Sequence, residues 1–288
     1  MKKSIKIILI SVVSLVLVAS ISVGLYFGLR KRDSYKNPST DKRASLGAWW
    51  WNDELGVDYL DFAKENKVTE IYYCSSKFNE ETDLFIKEAN KRKIRVYWLA
   101  GEYQWIDNNL KLFEKIDKFN EYQKNYKNTF SGIHFDIEPH QNPEFELKRN
   151  EILSNFVGLT YILKDKYPNT WIEYDIPFWF DEEVTLLNKT KKAYEHIIDN
   201  ANRVTLMSYR DTAEAIFKIS KDEIEYAKSV GKTINLGVET KSSEGDNVSF
   251  NEEGKQVMYA EINKLRELIP NNFGVSIHQI ENWKNLKD

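Results

Sequence analysis

The stretch Phe130-Ser-Gly-Ile-His-Phe-Asp-Ile-Glu-Pro139 decides how the chain is read. At a period of two it is a strand, with Ile133, Phe135 and Ile137 on one face and His134, Asp136 and Glu138 on the other. A strand in the middle of an α/β protein is covered on both faces. A row of imidazole and carboxyl groups turned into that interior is costly unless the groups are paired or used. Pro139 and the polar residues behind it end the strand, which puts Glu138 at its carboxyl edge. In parallel sheets that edge is where ligands bind.

On either side of this stretch, from Ser45 onward, short apolar runs alternate with amphipathic ones. Before it, strands are expected at Leu46–Trp51, Glu70–Cys74 and Arg95–Ala100; after it at Trp171–Ile176, Arg203–Tyr209, Thr233–Glu239 and Phe273–His278. Between them the apolar spacing predicts helices at Val57–Asn66, Glu81–Arg92, Leu110 to about Lys127, Phe145–Tyr167, Ala193–Asn200 and Lys221–Val230, with a last one reaching Ile269. Pro168 and Pro270 stop two of these helices, and Gly231 is placed to cap a third. No strand pair is expected to join through a tight hairpin, and only a short tail should follow His278. Eight β/α units in strict order give an α/β protein built as a closed (β/α)8 TIM barrel, one domain over residues 45–288. A doubly wound open sheet is the rival, but the Gly-rich phosphate loop usual in that fold is missing.

A barrel gathers its chemistry at the carboxyl ends of its strands. Those ends carry Trp51, Glu102, Asp136, Glu138, Asp175, Tyr209, Asp211, Glu239 and His278. Acidic groups dominate, and carboxylates crowded into one mouth raise each other's pKa, which suits general acid work near neutral pH. The chain has 8 Trp and 16 Tyr, a composition that fits either sugar stacking or an aromatic core. Trp49, Trp50 and Trp51 end the first strand, Trp98 and Trp105 flank the end of the third, and Trp179 follows Pro177. Alternation sends Trp50 under the helices. The single cysteine, Cys74, excludes an internal disulfide and is expected as a buried thiol.

Two stretches resemble the chitinase-type (family 18) glycoside hydrolases, whose signature is Asp-Gly-x-Asp-x-Asp-x-Glu. Gly132, Asp136 and Glu138 match it, while Ser131 and His134 replace its first two acids. Met207-Ser-Tyr209-Arg-Asp211 resembles the family's Met-x-Tyr-Asp with one residue inserted. The resemblance implies a barrel glycosidase in which Glu138 is the general acid/base. Asp136 would stabilise a substrate acetamido group as it attacks the anomeric carbon, and Tyr209 would position that group. It further implies an oligo- or polysaccharide partner containing N-acetylhexosamine, with Trp51, His134, Asp175, Asp211, Glu239, Trp179 and Glu102 as substrate-binding candidates.

Three other readings stay open. Glu138 could serve as acid/base with Glu239 as a direct nucleophile, since Ile137-Glu138-Pro139 is similar to the Asn-Glu-Pro of retaining barrel enzymes. The barrel could bind carbohydrate without turnover. A metal-dependent hydrolase could use His134, Asp136 and His278, although no complete ligand set is apparent. No cofactor and no metal are expected.

Acidic and basic side chains nearly balance, 44 against 41, for a net charge of −3. No basic stripe marks the folded part, so no nucleic-acid partner is expected. Ile7 to Leu29 carries no charge and as a helix reaches roughly 35 Å, enough for a hydrocarbon core of about 30 Å. The expectation is an N-terminal membrane anchor over residues 1–32 with one transmembrane helix in the lipid bilayer, then a polar stalk over residues 33–44. Lysines and arginines flank the run on both sides, so they leave orientation undecided. A short amino tail before a large domain favours a single-pass cell-membrane protein with its barrel extracellular.

Overall fold

The computed structural model describes residues 44–242 and 245–288. The expected anchor at Ile7–Leu29 lies outside the described residues, as does the stalk up to its last residue. No helix among the described residues is long and apolar enough to cross a membrane.

Eight parallel strands close into a barrel: β1 (Leu46–Trp50), β2 (Glu70–Tyr73), β3 (Arg95–Ala100), β4 (Gly132–Phe135), β5 (Ile172–Pro177), β8 (Arg203–Met207), β9 (Thr233–Glu239) and β10 (Gly274–His278). Each pairs with the next, and β10 closes on β1 with Leu46 opposite Val275. Alternation sorts the side chains. Ala48, Trp50, Ile71, Tyr73, Ile133 and Phe135 point outward and are covered by the helices, while Trp49, Tyr72, Tyr97 and Leu99 form a second cluster inside the barrel. Trp50 packs edge-on against Tyr59 and Phe85, as its position on the strand required. Each fully covered large apolar side chain contributes about 1.5–3 kcal/mol. The helices seal the outside of the barrel for that reason.

Local rules set the helix ends. Asn79 caps the helix Glu80–Lys91 by accepting from the main-chain N–H groups of Glu81 and Thr82 at 3.1 and 3.3 Å. Gly231 follows the helix Lys221–Ser229 with φ of +70°, the left-handed conformation expected of it.

The fold departs from expectation in three places. A hairpin does occur, outside the barrel: β6 (Glu183–Leu186) pairs antiparallel with β7 (Lys189–Lys192) across Leu187-Asn188, both at positive φ. Turns of that kind match the strand twist, and Asn188 was the local signal for it. The tail after His278 is a helix, Ile280–Asn285, whose Trp283 is buried against Phe62 and Tyr259. A short helix at Ala213–Ile219 was likewise not expected. At six and seven residues, these two offer too few turns for an apolar period to show.

Candidate active site

The stretch Phe130–Pro139 leaves the sheet earlier than its alternation suggested. Pairing along β4 ends with Phe135, and the Asp136 N–H makes a last bond to Ala100 O at 3.0 Å. Asp136, Ile137 and Glu138 then run on over the barrel mouth. Gly101 makes this possible: a Cβ there would lie 1.7 Å from the Asp136 carbonyl oxygen. After Glu138 the chain turns back as a single 3-10 turn, Pro139–Gln141.

Beneath the mouth the barrel interior is ionic. Arg203 Nη2 lies 2.6 Å from Glu70 Oε1 and 2.8 Å from Glu173 Oε1, and Arg95 Nη2 lies 2.8 Å from Glu70 Oε2. His134 sits above them with Nδ1 3.0 Å from Glu173 Oε2 and Nε2 2.8 Å from Asp175 Oδ1. The Trp49 indole N–H donates to the other Asp175 oxygen at 2.8 Å. Tyr72 stacks on the His134 ring with centroids 3.6 Å apart. Facing a carboxylate at each nitrogen, His134 donates twice and is an imidazolium. Burial alone would lower its pKa, but Asp175 and Glu173 override that and raise it to about 9. Burial likewise opposes ionisation of Glu173, yet Arg203 and His134 bring it down to about 2. Three cations (Arg95, Arg203, His134) thus meet three carboxylates (Glu70, Glu173, Asp175).

That balance leaves no cation to pair with Asp136. Burial, then Asp175, then Glu138 push its carboxyl well above the usual range, with His134 opposing only in part. Its Oδ1 is closed to solvent and has no hydrogen-bond partner. The Tyr209 hydroxyl is held well above its usual pKa by burial and by the carboxylates of Glu239, Asp175, Asp136 and Glu138, which therefore share its neighbourhood. Gly237 leaves room for that tyrosine; a Cβ there would come 3.0 Å from the Tyr209 ring. Glu138, half-buried, has Oε1 3.3 Å from His140 Nε2, and the Gln141 amide donates to Oε2.

Across the mouth, Glu239 Oε1 accepts the main-chain N–H groups of Thr240 and Lys241 at 2.8 and 2.7 Å. Its Oε2 lies 2.9 Å from His278 Nδ1, and Trp51 donates its indole N–H to His278 Nε2 at 3.1 Å. Because Nε2 must accept from Trp51, His278 is the neutral tautomer with its proton on Nδ1. The chain Glu239–His278–Trp51 fixes the half-buried Trp51 at the rim.

The structure therefore brings Asp136, Glu138, Asp175, Tyr209, Glu239, His278 and Trp51 together. Trp179 joins through His140, 5.4 Å away ring to ring, under the Arg149 guanidinium. His134 is fully buried with both nitrogens engaged, so it underlies the site instead of touching substrate. Glu102 is exposed and paired with Lys115 at 2.9 Å, and Asp211 enters none of these contacts. Trp49, Trp98 and Trp105 are buried, not presented to a sugar. Cys74 is half-buried, not fully covered, and burial raises its thiol pKa. With both imidazoles saturated, the metal-dependent reading lacks a free ring nitrogen.

Sequence reasoning missed Glu173 and Arg203, which lie inward on their strands, and His140 and Gln141. The last two carry a local signal, since Pro139 opens a turn that curls back on Glu138.

No family model and no curated protein matches the sequence. Solved structures do resemble the barrel. A GH18 chitinase from Pseudoalteromonas aurantia superposes with a TM-score of 0.57 at 12% identity, covering 83% of this chain and 95% of its own. The Bacillus megaterium spore cortex-lytic enzyme SleL gives a TM-score of 0.52 at 12% identity, over 86% and 74% of the two chains. A GH18 chitinase mutant from Cycas revoluta in complex with (GlcNAc)4 gives 0.50 at 13%, over 83% and 96%. At such identities the likeness is one of fold: the chain shares the (β/α)8 barrel of these glycoside hydrolase structures.

Proposed function

We propose that the barrel is a retaining glycoside hydrolase acting by substrate assistance on N-acetylhexosamine-containing polysaccharide at the cell surface or outside the cell. The observation that carries this reading is Asp136, whose Oδ1 lacks any partner and whose carboxyl is pushed well above its usual pKa by burial, Asp175 and Glu138. Such a group is costly at rest and gains its missing hydrogen bond from a ligand N–H. A 2-acetamido group supplies that N–H. Its carbonyl oxygen then attacks the anomeric carbon, held by the Tyr209 hydroxyl, while Glu138 protonates the leaving oxygen. Water reverses the step with Glu138 as base. This is the substrate-assisted exception to the two-carboxylate scheme.

Direct attack by Glu239 is less well supported. Both its oxygens already hold donors, two main-chain N–H groups and His278. The retained trio of Glu138, Asp136 and Tyr209 favours turnover over a barrel that only binds. Trp51, anchored by His278, is the sugar platform of this reading. The uncharged run at Ile7–Leu29 would hold the barrel at the outer face of the membrane. The test is an N-acetylglucosamine tetramer against the matching 2-hydroxy glucose tetramer. Cleavage of the first alone, blocked by a thiazoline mimic of the cyclised intermediate, is the expected result. Turnover of the 2-hydroxy tetramer, or a sugar trapped on Glu239, would reject it.

A further inference from the structure

We propose that Asp175, on the strand beside the one that leads into Asp136, is the proton partner of Asp136. This positioning role rests on the substrate-assisted reading above. It follows from the register. His134 pairs with Glu173 and Phe135 with Tyr174, the last pair of that ladder; Asp136 and Asp175 follow directly on the two strands, near enough for Asp175 to raise the Asp136 carboxyl. The rings of Phe135 and Tyr174, centroids 5.7 Å apart, both pack outward among the helices. The next residue on each strand therefore turns inward. Adjacent strands lie about 4.8 Å apart, so the two carboxyls leave neighbouring strands on the same, inward side.

Two carboxyls that close in a dry space hold one proton between them. Their other partners decide which keeps it. Asp175 accepts from the His134 imidazolium on Oδ1 and from the Trp49 indole on Oδ2, each at 2.8 Å. Asp136 Oδ1 accepts from nothing. Burial raises both carboxyls, but His134 and Trp49 hold Asp175 down while Asp136 is pushed well above its usual range, so Asp175 is the member that ionises first and Asp136 the one that keeps the proton. The other groups facing the pair leave that assignment intact. Glu138 beyond Asp136, Tyr209 past the end of β8 and Glu239 on β9 bring no positive charge, and His278 on β10 acts on Asp175, which it favours as the ionised member. Below, Glu173 is matched by Arg203.

The step balances. As the acetamido oxygen bonds to the anomeric carbon, the glycosidic bond breaks and its oxygen takes the proton of Glu138. Positive charge develops on the cyclised group. Asp136 passes its proton to Asp175 and faces that charge as a carboxylate. When water opens the ring, Glu138 recovers a proton from the water and Asp175 returns its own to Asp136.

The experiment is an infrared titration of the full chain in detergent with 13C-labelled aspartate, comparing the parent with Asp175→Asn and Asp136→Asn. Asp136 should ionise at a lower pH in Asp175→Asn, because that variant removes the negative charge beside it; in Asp136→Asn, which removes a neutral carboxyl, the aspartate signal that titrates at high pH should vanish while Asp175 stays ionised. On the N-acetylglucosamine tetramer, Asp175→Asn should lower kcat on the order of 10²-fold with KM nearly unchanged, and shift the Asp136 limb of the pH–rate profile towards acid. An Asp136 signal that does not move in Asp175→Asn, or a high-pH aspartate signal that survives in Asp136→Asn, overturns the pairing. If Asp175→Asn fails to fold, the Asp136→Asn titration decides alone. Moved signals without turnover of any 2-acetamido substrate by the parent would uphold the pairing and reject the functional reading.

Discussion

Replacing His134 by Gln tests whether the barrel interior is held by a buried cation. The imidazole has no exposed surface, and its pKa rises from 6.5 to about 9. A rise of that size corresponds to about 3 kcal/mol of stability. A raised pKa means that the folded chain binds the proton more tightly than the unfolded one. The contribution is therefore complete below pH 6.5 and disappears as the pH climbs through 9. Gln keeps one donor but no charge, so either Glu173 or Asp175 loses its partner in the interior. The assay is urea unfolding of the 45–288 barrel between pH 6 and 10, parent against variant, by linear extrapolation. The parent should lead by about 3 kcal/mol or more at pH 6.5, and that lead should shrink by roughly 3 kcal/mol towards pH 9.5. Parallel curves across this range would mean that His134 is neutral in the folded protein and that the charge balance drawn for the interior is wrong.

Glu138→Gln should cut turnover of a 2-acetamido substrate by about 10²–10⁴-fold without loss of thermal stability, measured by initial rates and calorimetry. Asp136→Asn and Tyr209→Phe should damage kcat far more than Glu239→Gln; the opposite ranking would favour Glu239 as nucleophile. Gly101→Ala places a Cβ 1.7 Å from the Asp136 carbonyl oxygen. It should cost about 3 kcal/mol and displace Asp136, read as lower urea midpoint and lower kcat together. Protease added to intact cells should release a soluble fragment beginning within Asp33–Ser45, and a barrel protected until lysis would reverse the proposed orientation.

The sequence by itself determined the barrel. Short apolar strands and amphipathic helices alternate eight times, and both periods are local properties of the chain, so β3 and β9 fall on the residues their patterns marked. It also marked Glu138 and Asp136, because carboxyls at the carboxyl end of a covered strand have few structural uses. The tertiary structure alone decided which partners those acids meet. His134 read as a group facing substrate, yet β5 brings Glu173 and Asp175 to its two nitrogens and buries it beneath the site. Trp98 and Trp105, left between sugar stacking and core by the sequence, lie in the core, while Trp51 stays at the mouth because β10 brings His278 to its indole. Glu102 read as a mouth acid and pairs instead with Lys115. The physical reason is the same throughout. Alternation says which face of its strand a side chain takes, but charge, tautomer and reach depend on what the neighbouring strands carry, and those residues are tens to hundreds of positions away in the chain.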